Sequence, residues 1–307
     1  MSRILVTPRS VTAAGGHPSL QALVDAGYEV VYSAAGKQPS EAELIALLPG
    51  CVGYLAGVEP ITERALSAAD ALRVISRNGT GVDSVDLKAA EARGIRVCRA
   101  EGANARGVAE LTIGLMLALV RAIPLNDAAL KAGGWERRKG VELTGRTLGL
   151  VGCGRIGRYV AECALGLGMK ALAYDLYPDA AYSPGAGFAY AGLDEVIARA
   201  DVLSLHCPPA ERPLIDADAI AAMKPGVYVI NTARHGLIDD DAALAALESG
   251  RIAGLALDVY GKEPPEDRRL ASHPRVVATA HIGGFTSESV DRAMSAAVDN
   301  LLEALRA

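Results

Sequence analysis

Short apolar, often β-branched runs alternate with stretches of helical period along most of the chain. From the N-terminus, residues 4–7, 29–32, 52–56, 74–77 and 96–98 read as strands, and 20–26, 41–48, 62–69 and 87–92 read as the helices between them. This rhythm predicts parallel β-α units, with a first unit closing near residue 100. Ser40 and Glu43 fit a capping box, in which hydroxyl and carboxylate each satisfy an N–H at the helix start. Between residues 104 and 120 the apolar positions keep helical spacing but cover more than one stripe, which predicts a helix buried on several sides. A turn at Gly133-Gly134-Trp135 and a charged patch at 136–139 precede a second series, with strands at 147–151, 170–174, 202–205, 227–231, 252–257 and 276–278. Residues 287–306 are again helical in period, and the pattern leaves open which half they pack on.

Length and composition narrow the function classes. A chain of 307 residues suits two domains and buries a large core unaided. With half the residues apolar, 22% charged and a net charge of -5, the signature of disorder is absent and a soluble globular protein is expected. The acidic balance offers no footprint for a polyanion, so nucleic acid is not an expected partner. The five cysteines are scattered, without a C-x-x-C pair, and read as reduced thiols of a cytoplasmic protein. Strand-like residues 4–7 leave no room for a signal segment, and the apolar stretch 111–120 is about half of the roughly 20 residues a bilayer span needs. No membrane association is expected.

The first chemical signal is Gly152-Cys153-Gly154-Arg155-Ile156-Gly157, a G-x-G-x-x-G between a predicted strand and a predicted helix. Gly152 permits a tight turn, Gly154 admits a pyrophosphate to the main chain, and Gly157 lets helix and strand pack closely. The helix N-terminus then attracts the phosphates. Asp175 ends the next predicted strand, where an acid binds both adenosine ribose hydroxyls. That acid repels a 2'-phosphate, and Leu176-Tyr177-Pro178 offers no arginine to receive one, so NAD is expected over NADP.

Reducing a 2-oxo acid requires a carboxylate clamp, a proton donor for the carbonyl oxygen, and a group that orients the donor. Three predicted strand ends supply candidates: Arg234 after 227–231, Glu263 after 252–257 and His281 after 276–278. In an open parallel sheet ligands collect outside the carboxyl ends of the strands. Arginine's planar fork suits a carboxylate. Of the other histidines, His17 and His273 read as surface residues and His206 as a pocket wall or satisfied core residue, while His235 stays ambiguous.

These residues carry a resemblance to the D-isomer-specific 2-hydroxyacid dehydrogenase family, most closely to its phosphoglycerate-dehydrogenase-like members without added regulatory domains. The matching motifs span nearly the whole chain: Asn78-Gly79-Thr80-Gly81-Val82-Asp83, Gly102-Ala103-Asn104 with Ala109-Glu110, the glycine turn, residues 231–236, Ala256-Leu257-Asp258-Val259, Glu263-Pro264-Pro265 and His281-Ile282-Gly283-Gly284. The resemblance implies an α/β fold of two Rossmann-like or flavodoxin-like domains with parallel sheets and the active site in the inter-domain cleft. Residues 1–100 with 285–307 would form the substrate domain and 101–284 the NAD-binding domain. Arg234, Glu263 and His281 would act as clamp, histidine partner and acid/base, and Gly79, Thr80 and Gly81 would bind the substrate carboxylate. Cofactor contacts are implied for Gly152, Gly154, Arg155, Ile156, Gly157, Asp175, Cys207, Thr232, Ala233, Asp258 and Gly283. The expected partners are a small 2-hydroxy or 2-oxo acid and a second copy of the chain in a homodimer, with the 104–120 region helping two nucleotide domains associate.

The chain also departs from its relatives. Phosphoglycerate enzymes of the family carry an arginine after the third strand, where this chain has Ala56-Gly57-Val58-Glu59, and an acid there is expected to repel a phosphate. Arg9 and Arg77 are the candidate compensating cations. Ala280 replaces the usual proline before the histidine, and Glu263 argues against formate dehydrogenase chemistry, which uses glutamine. Alternative readings are 3-phosphoglycerate dehydrogenase proper and a non-enzymatic, NAD-sensing corepressor.

Overall fold

The computed structural model describes residues 1–307, which divide into two compact units. The first comprises Met1–Asn104 and Thr286–Ala307. Its strands are β1 (Arg3–Val6), β2 (Glu29–Tyr32), β3 (Cys51–Ala56), β4 (Val74–Arg77) and β5 (Arg96–Arg99). Between them lie helices α1 (Arg9–Ala13), α2 (Gln21–Asp25), α3 (Glu41–Leu47), α4 (Glu63–Ser67) and α5 (Leu87–Ala92). The strands pair in parallel in the order β2-β1-β3-β4-β5, so the winding reverses between β1 and β3. At α3 the capping box is complete: Glu43 N–H donates to Ser40 Oγ at 3.3 Å and Ser40 N–H to Glu43 Oε2 at 2.7 Å. The Ser40 N–H and the Ser40 hydroxyl, both donating to Glu43 Oε2, hold the Glu43 carboxyl below its usual range.

The C-terminal helix Ser287–Arg306 belongs to this first unit. Met294, Ala297, Val298, Leu301 and Leu305 recur at helical spacing and pack on Ile4, Val6, Leu55 and Val74. Gly53 lets the helix approach, since a Cβ there would lie 3.3 Å from Leu301. Ser76 Oγ–H adds a 2.8 Å bond to the Ala297 carbonyl. Truncating a fully buried leucine such as Leu301 costs about 2–5 kcal/mol.

The second unit, Ala105–Phe285, opens with α6 (Ala105–Val120) and α7 (Ile123–Lys131). It continues through β6 (Thr147–Val151), α8 (Arg155–Gly166), β7 (Lys170–Tyr174), β8 (Phe188–Tyr190), α9 (Leu193–Arg199), β9 (Val202–Leu205) and α10 (Ala217–Ala222). Then come β10 (Val227–Asn231), α11 (Asp240–Ser249), β11 (Ile252–Leu257) and β12 (Val276–Ala278). All seven strands are parallel, in the order β12-β11-β10-β9-β6-β7-β8, with the reversal between β6 and β9. Helix α6 is buried on several sides, and Leu115, Met116, Leu119 and Val120 join the core with Leu148, Leu150 and Val160. Helix α7 has no buried residue. No single helix is long and apolar enough to cross a membrane.

Candidate active site

The turn after β6 is set by glycines. Gly152 has φ +97°, and a Cβ there would lie 2.5 Å from the His206 carbonyl oxygen. A Cβ on Gly157 would lie 2.3 Å from the carbonyl oxygen of Gly152, so turn and helix touch backbone to backbone. At Gly154, by contrast, a Cβ would meet nothing within 4 Å. Gly154 is also the N-cap of α8, and no side chain caps the helix. A helix start without a side-chain cap beside open space fits an anionic group, as a dinucleotide pyrophosphate requires.

Asp175, one residue beyond β7, ties that strand end to the turn: its carboxylate accepts from Cys153 N–H at 2.7 Å and Tyr177 N–H at 2.9 Å. Arg158 donates to the Cys153 carbonyl at 3.2 Å and to Asp179 at 2.9 Å, bracing the loop that follows. His206 lies beneath the turn, and burial drives its pKa down to about 3. Its Nε2 meets Ser204 Oγ at 2.8 Å and its Nδ1 is buried without a partner, so the core reading of this histidine holds for one ring nitrogen only. Burial pushes the Cys207 thiol up to about 11, keeping it a neutral thiol. Thr232 shares a 2.9 Å bond with Thr112, whose own proton goes to the Val108 carbonyl, so Thr232 is the donor.

The candidate reacting groups lie beyond three adjacent strands, Arg234 after β10, Glu263 after β11 and His281 after β12. His281 Nδ1 sits 2.9 Å from each Glu263 oxygen. A carboxylate on Nδ1 fixes the proton there and leaves Nε2 as the atom for proton exchange. His281 has φ +53°, a left-handed conformation uncommon for a residue with a side chain. Asp258, 1% exposed, holds this loop: its carboxylate accepts from Thr279 Oγ–H at 2.6 Å, Ile282 N–H at 2.8 Å and Gly283 N–H at 2.9 Å. Tyr260 adds a bond from its hydroxyl to the Thr279 carbonyl at 2.9 Å. The turn carrying Arg234 is shaped by Asn231, whose amide donates to the Arg234 carbonyl at 2.8 Å and accepts from Ala233 N–H at 3.1 Å.

In the first unit, Gly79, Thr80 and Gly81 follow β4. Thr80 Oγ–H lies 3.1 Å from Asn104 Oδ1, and Arg77 Nε–H donates to the Gly81 carbonyl at 3.0 Å. Glu59 is 1% exposed and does not present its charge outward: its carboxylate accepts from Tyr54 O–H at 2.6 Å, Gly57 N–H at 2.9 Å and Thr7 Oγ–H. Arg77 is also buried, and its Nε and Nη1 donate to the Gly81 and Ala56 carbonyls. His17 is no open surface residue either: its ring caps the short helical turn at Ser19 and pairs with Asp291 at 3.2 Å.

The sequence pattern gave no sign that Asp258 carries the His281 loop or that Asn231 shapes the Arg234 turn. Their positions at strand ends were visible, but the donors they serve became known only with the fold. Thr112 escaped notice because its partner Thr232 is 120 residues away.

A doubly wound parallel sheet, a glycine turn against a helix start and a strand-end acid define a dinucleotide-binding α/β protein. Residues 113–283 match the family model described as D-isomer specific 2-hydroxyacid dehydrogenase, NAD binding domain. The chain is 41% identical over 275 residues to D-3-phosphoglycerate dehydrogenase of Homo sapiens, covering 88% of this chain and 51% of that protein. It is 40% identical over 271 residues to hydroxypyruvate reductase of Thermotoga maritima, covering 86% and 88%. The crystal structure of the TT0316 protein from Thermus thermophilus superposes with a TM-score of 0.88 at 35% identity, covering 99% of this chain and 97% of that one. The chain belongs to the D-isomer-specific 2-hydroxyacid dehydrogenase family, and its NAD-binding domain lies within the second unit. It spans about half the length of the curated phosphoglycerate dehydrogenases it matches.

Proposed function

We propose that this protein interconverts a D-2-hydroxy acid and its 2-oxo acid with NAD as hydride carrier. The observation that carries this reading is the His281–Glu263 pair, with Nδ1 bound by the carboxylate and Nε2 left for a substrate oxygen. NADH, when bound, supplies the hydride. The turn from Gly152 to Gly157, with Arg155 and Ile156, would hold the pyrophosphate, and Asp175 the adenosine ribose hydroxyls. Cys207, Thr232, Ala233, Asp258 and Gly283 would line the remainder of that site. In the direction of reduction, His281 gives its proton to the carbonyl oxygen while Arg234 grips the carboxylate and polarises the carbonyl. By the family resemblance, main-chain N–H groups at Gly79, Thr80 and Gly81 would bind a substrate carboxylate. Oxidation reverses each role, with neutral His281 taking the hydroxyl proton and Glu263 stabilising the imidazolium.

Two substrates have specific support among the relatives, hydroxypyruvate and 3-phosphoglycerate, through the names of proteins 40% and 41% identical. A homodimer accords with exposed Ile123, Leu130 and Trp135 on and just after α7. The test is NADH consumption with glyoxylate, hydroxypyruvate, phosphohydroxypyruvate, pyruvate and bulkier 2-oxo acids. Turnover of at least one acid is expected, and none with any would refute the reading.

A further inference from the structure

In the first unit the sheet order reverses between β1 and β3, and the crevice outside the carboxyl ends of such a pair is where an open α/β sheet receives ligands. Here a buried polar network fills it. Thr7 follows β1, Tyr54 lies in β3, and Gly57 and Glu59 follow β3; their polar atoms meet on the Glu59 carboxylate. Gly57 N–H lies 3.1 Å from Thr7 Oγ as well. Arg77, at the end of β4, approaches from the other side and donates through Nη1 to the Ala56 carbonyl at 3.2 Å. The Ala56–Gly57 peptide is thus bracketed, its C=O by a cation and its N–H by an anion. Arg77 Nε then reaches the Gly81 carbonyl at 3.0 Å, extending the network into the loop at 79–81.

Burial alone would lower the Arg77 pKa, and the nearby charges of Glu59 and Asp83 oppose that loss. The two charges meet through the Ala56–Gly57 peptide rather than as a direct ion pair, and removing either one leaves the other buried with less compensation.

We infer that Glu59 and Arg77 are positioning residues, a buried clasp that fixes the N–H groups of residues 79–81 for a substrate carboxylate. This rests on the reading of that loop given above. Arg77 spends Nε on the Gly81 carbonyl and Nη1 on the Ala56 carbonyl, and a clasp of this kind acts on phosphorylated and unphosphorylated 2-oxo acids alike. The network belongs wholly to the first unit, and the His281–Glu263 pair to the second.

The test compares wild type with Arg77→Lys, Arg77→Met, Glu59→Gln and the double variant Glu59→Gln/Arg77→Met. Tm, NADH affinity by fluorescence, and KM and kcat for hydroxypyruvate and phosphohydroxypyruvate are measured. Arg77→Met and Glu59→Gln should raise KM for whichever acid is used by roughly 10- to 100-fold, the scale of a displaced binding group, with kcat and NADH affinity changing far less. If both acids are substrates, the two factors should match. Arg77→Lys should recover part of the loss, since an ammonium reaches one of the two carbonyls but lacks the planar fork. The double variant should lose less Tm than the two single losses summed.

An unchanged KM in folded Arg77→Met, or a rise confined to the phosphorylated acid, would overturn the positioning role. Additive Tm losses would overturn the clasp, whatever the activity. Wild type inactive on every 2-oxo acid would instead remove the functional reading, and the positioning role with it, while the Tm cycle would still decide the clasp.

Discussion

Asp258→Asn is the sharpest probe of how the fold holds its candidate acid/base. The native carboxylate is buried and accepts three hydrogen bonds, two on Oδ1 from Thr279 and Ile282 and one on Oδ2 from Gly283. An asparagine oxygen placed at Oδ1 keeps the first two bonds but turns an amide N–H₂ toward the Gly283 N–H, donor against donor. One charge-assisted bond, worth about 1.5–3 kcal/mol, is lost, and a buried N–H is stranded at a further cost of about 1–3 kcal/mol. The two surviving bonds lose their charge assistance as well. A total near 4 kcal/mol corresponds to a Tm fall of roughly 8–16 °C for a unit of this size. The same loop carries His281 at φ +53°, so its displacement should lower kcat by about 10- to 100-fold. Calorimetry without cofactor separates the stability loss from any effect on NADH binding, and steady-state assays at saturating NADH read the catalytic loss. An Asp258→Asn protein with native Tm and native kcat would refute the claim that this carboxylate positions the histidine loop.

Three further outcomes follow from the same geometry. Gly154→Ala should leave Tm nearly unchanged, because its Cβ enters open space, yet weaken NADH binding; Gly157→Ala should lower Tm outright, because its Cβ meets a carbonyl. Equal Tm losses in the two, measured without cofactor, would contradict this distinction. His206 is neutral in the fold with a pKa near 3 and takes up a proton on unfolding once pH drops below the ordinary histidine value, so it erodes stability as pH falls. Replacing it by Gln should spare roughly 2 kcal/mol of the loss that wild type suffers between about pH 7 and pH 5, and parallel denaturation curves for the two proteins would deny it. Asp175→Ser should narrow the preference for NADH over NADPH, measured as a ratio of kcat/KM; an unchanged ratio, or a wild-type preference for NADPH, would remove Asp175 from that role.

What could be seen in advance follows from the range of each interaction. Strands such as Val202–Leu205 and Val227–Asn231, buried or nearly so along their whole length, leave apolar runs that sequence shows directly. The glycine turn was legible because its steric demands fall on residues a few positions apart. Helix α7 was missed because it buries no residue and so carries no core-facing period, and β8 because it is a three-residue edge strand. The inward turn of Glu59 depends on Thr7, which is 52 positions away, and the His17 pairing on Asp291, which is 274 away. A loop acid and a loop histidine look alike in sequence whether solvated or enclosed. For the candidate site, strand ends carrying Arg234, Glu263 and His281 were visible, but the adjacency of those strands comes from the sheet order β12-β11-β10.

The role proposed for His281 is to exchange the proton that accompanies hydride transfer. Wild type and His281→Ala should be compared for NADH consumption with the best 2-oxo acid, with chiral analysis of the product. Wild type should give a D-configured hydroxy acid, and kcat should be lower by about 100- to 10,000-fold in the variant, with NADH affinity preserved. Near-native turnover by His281→Ala, or an L-configured product from wild type, would contradict it.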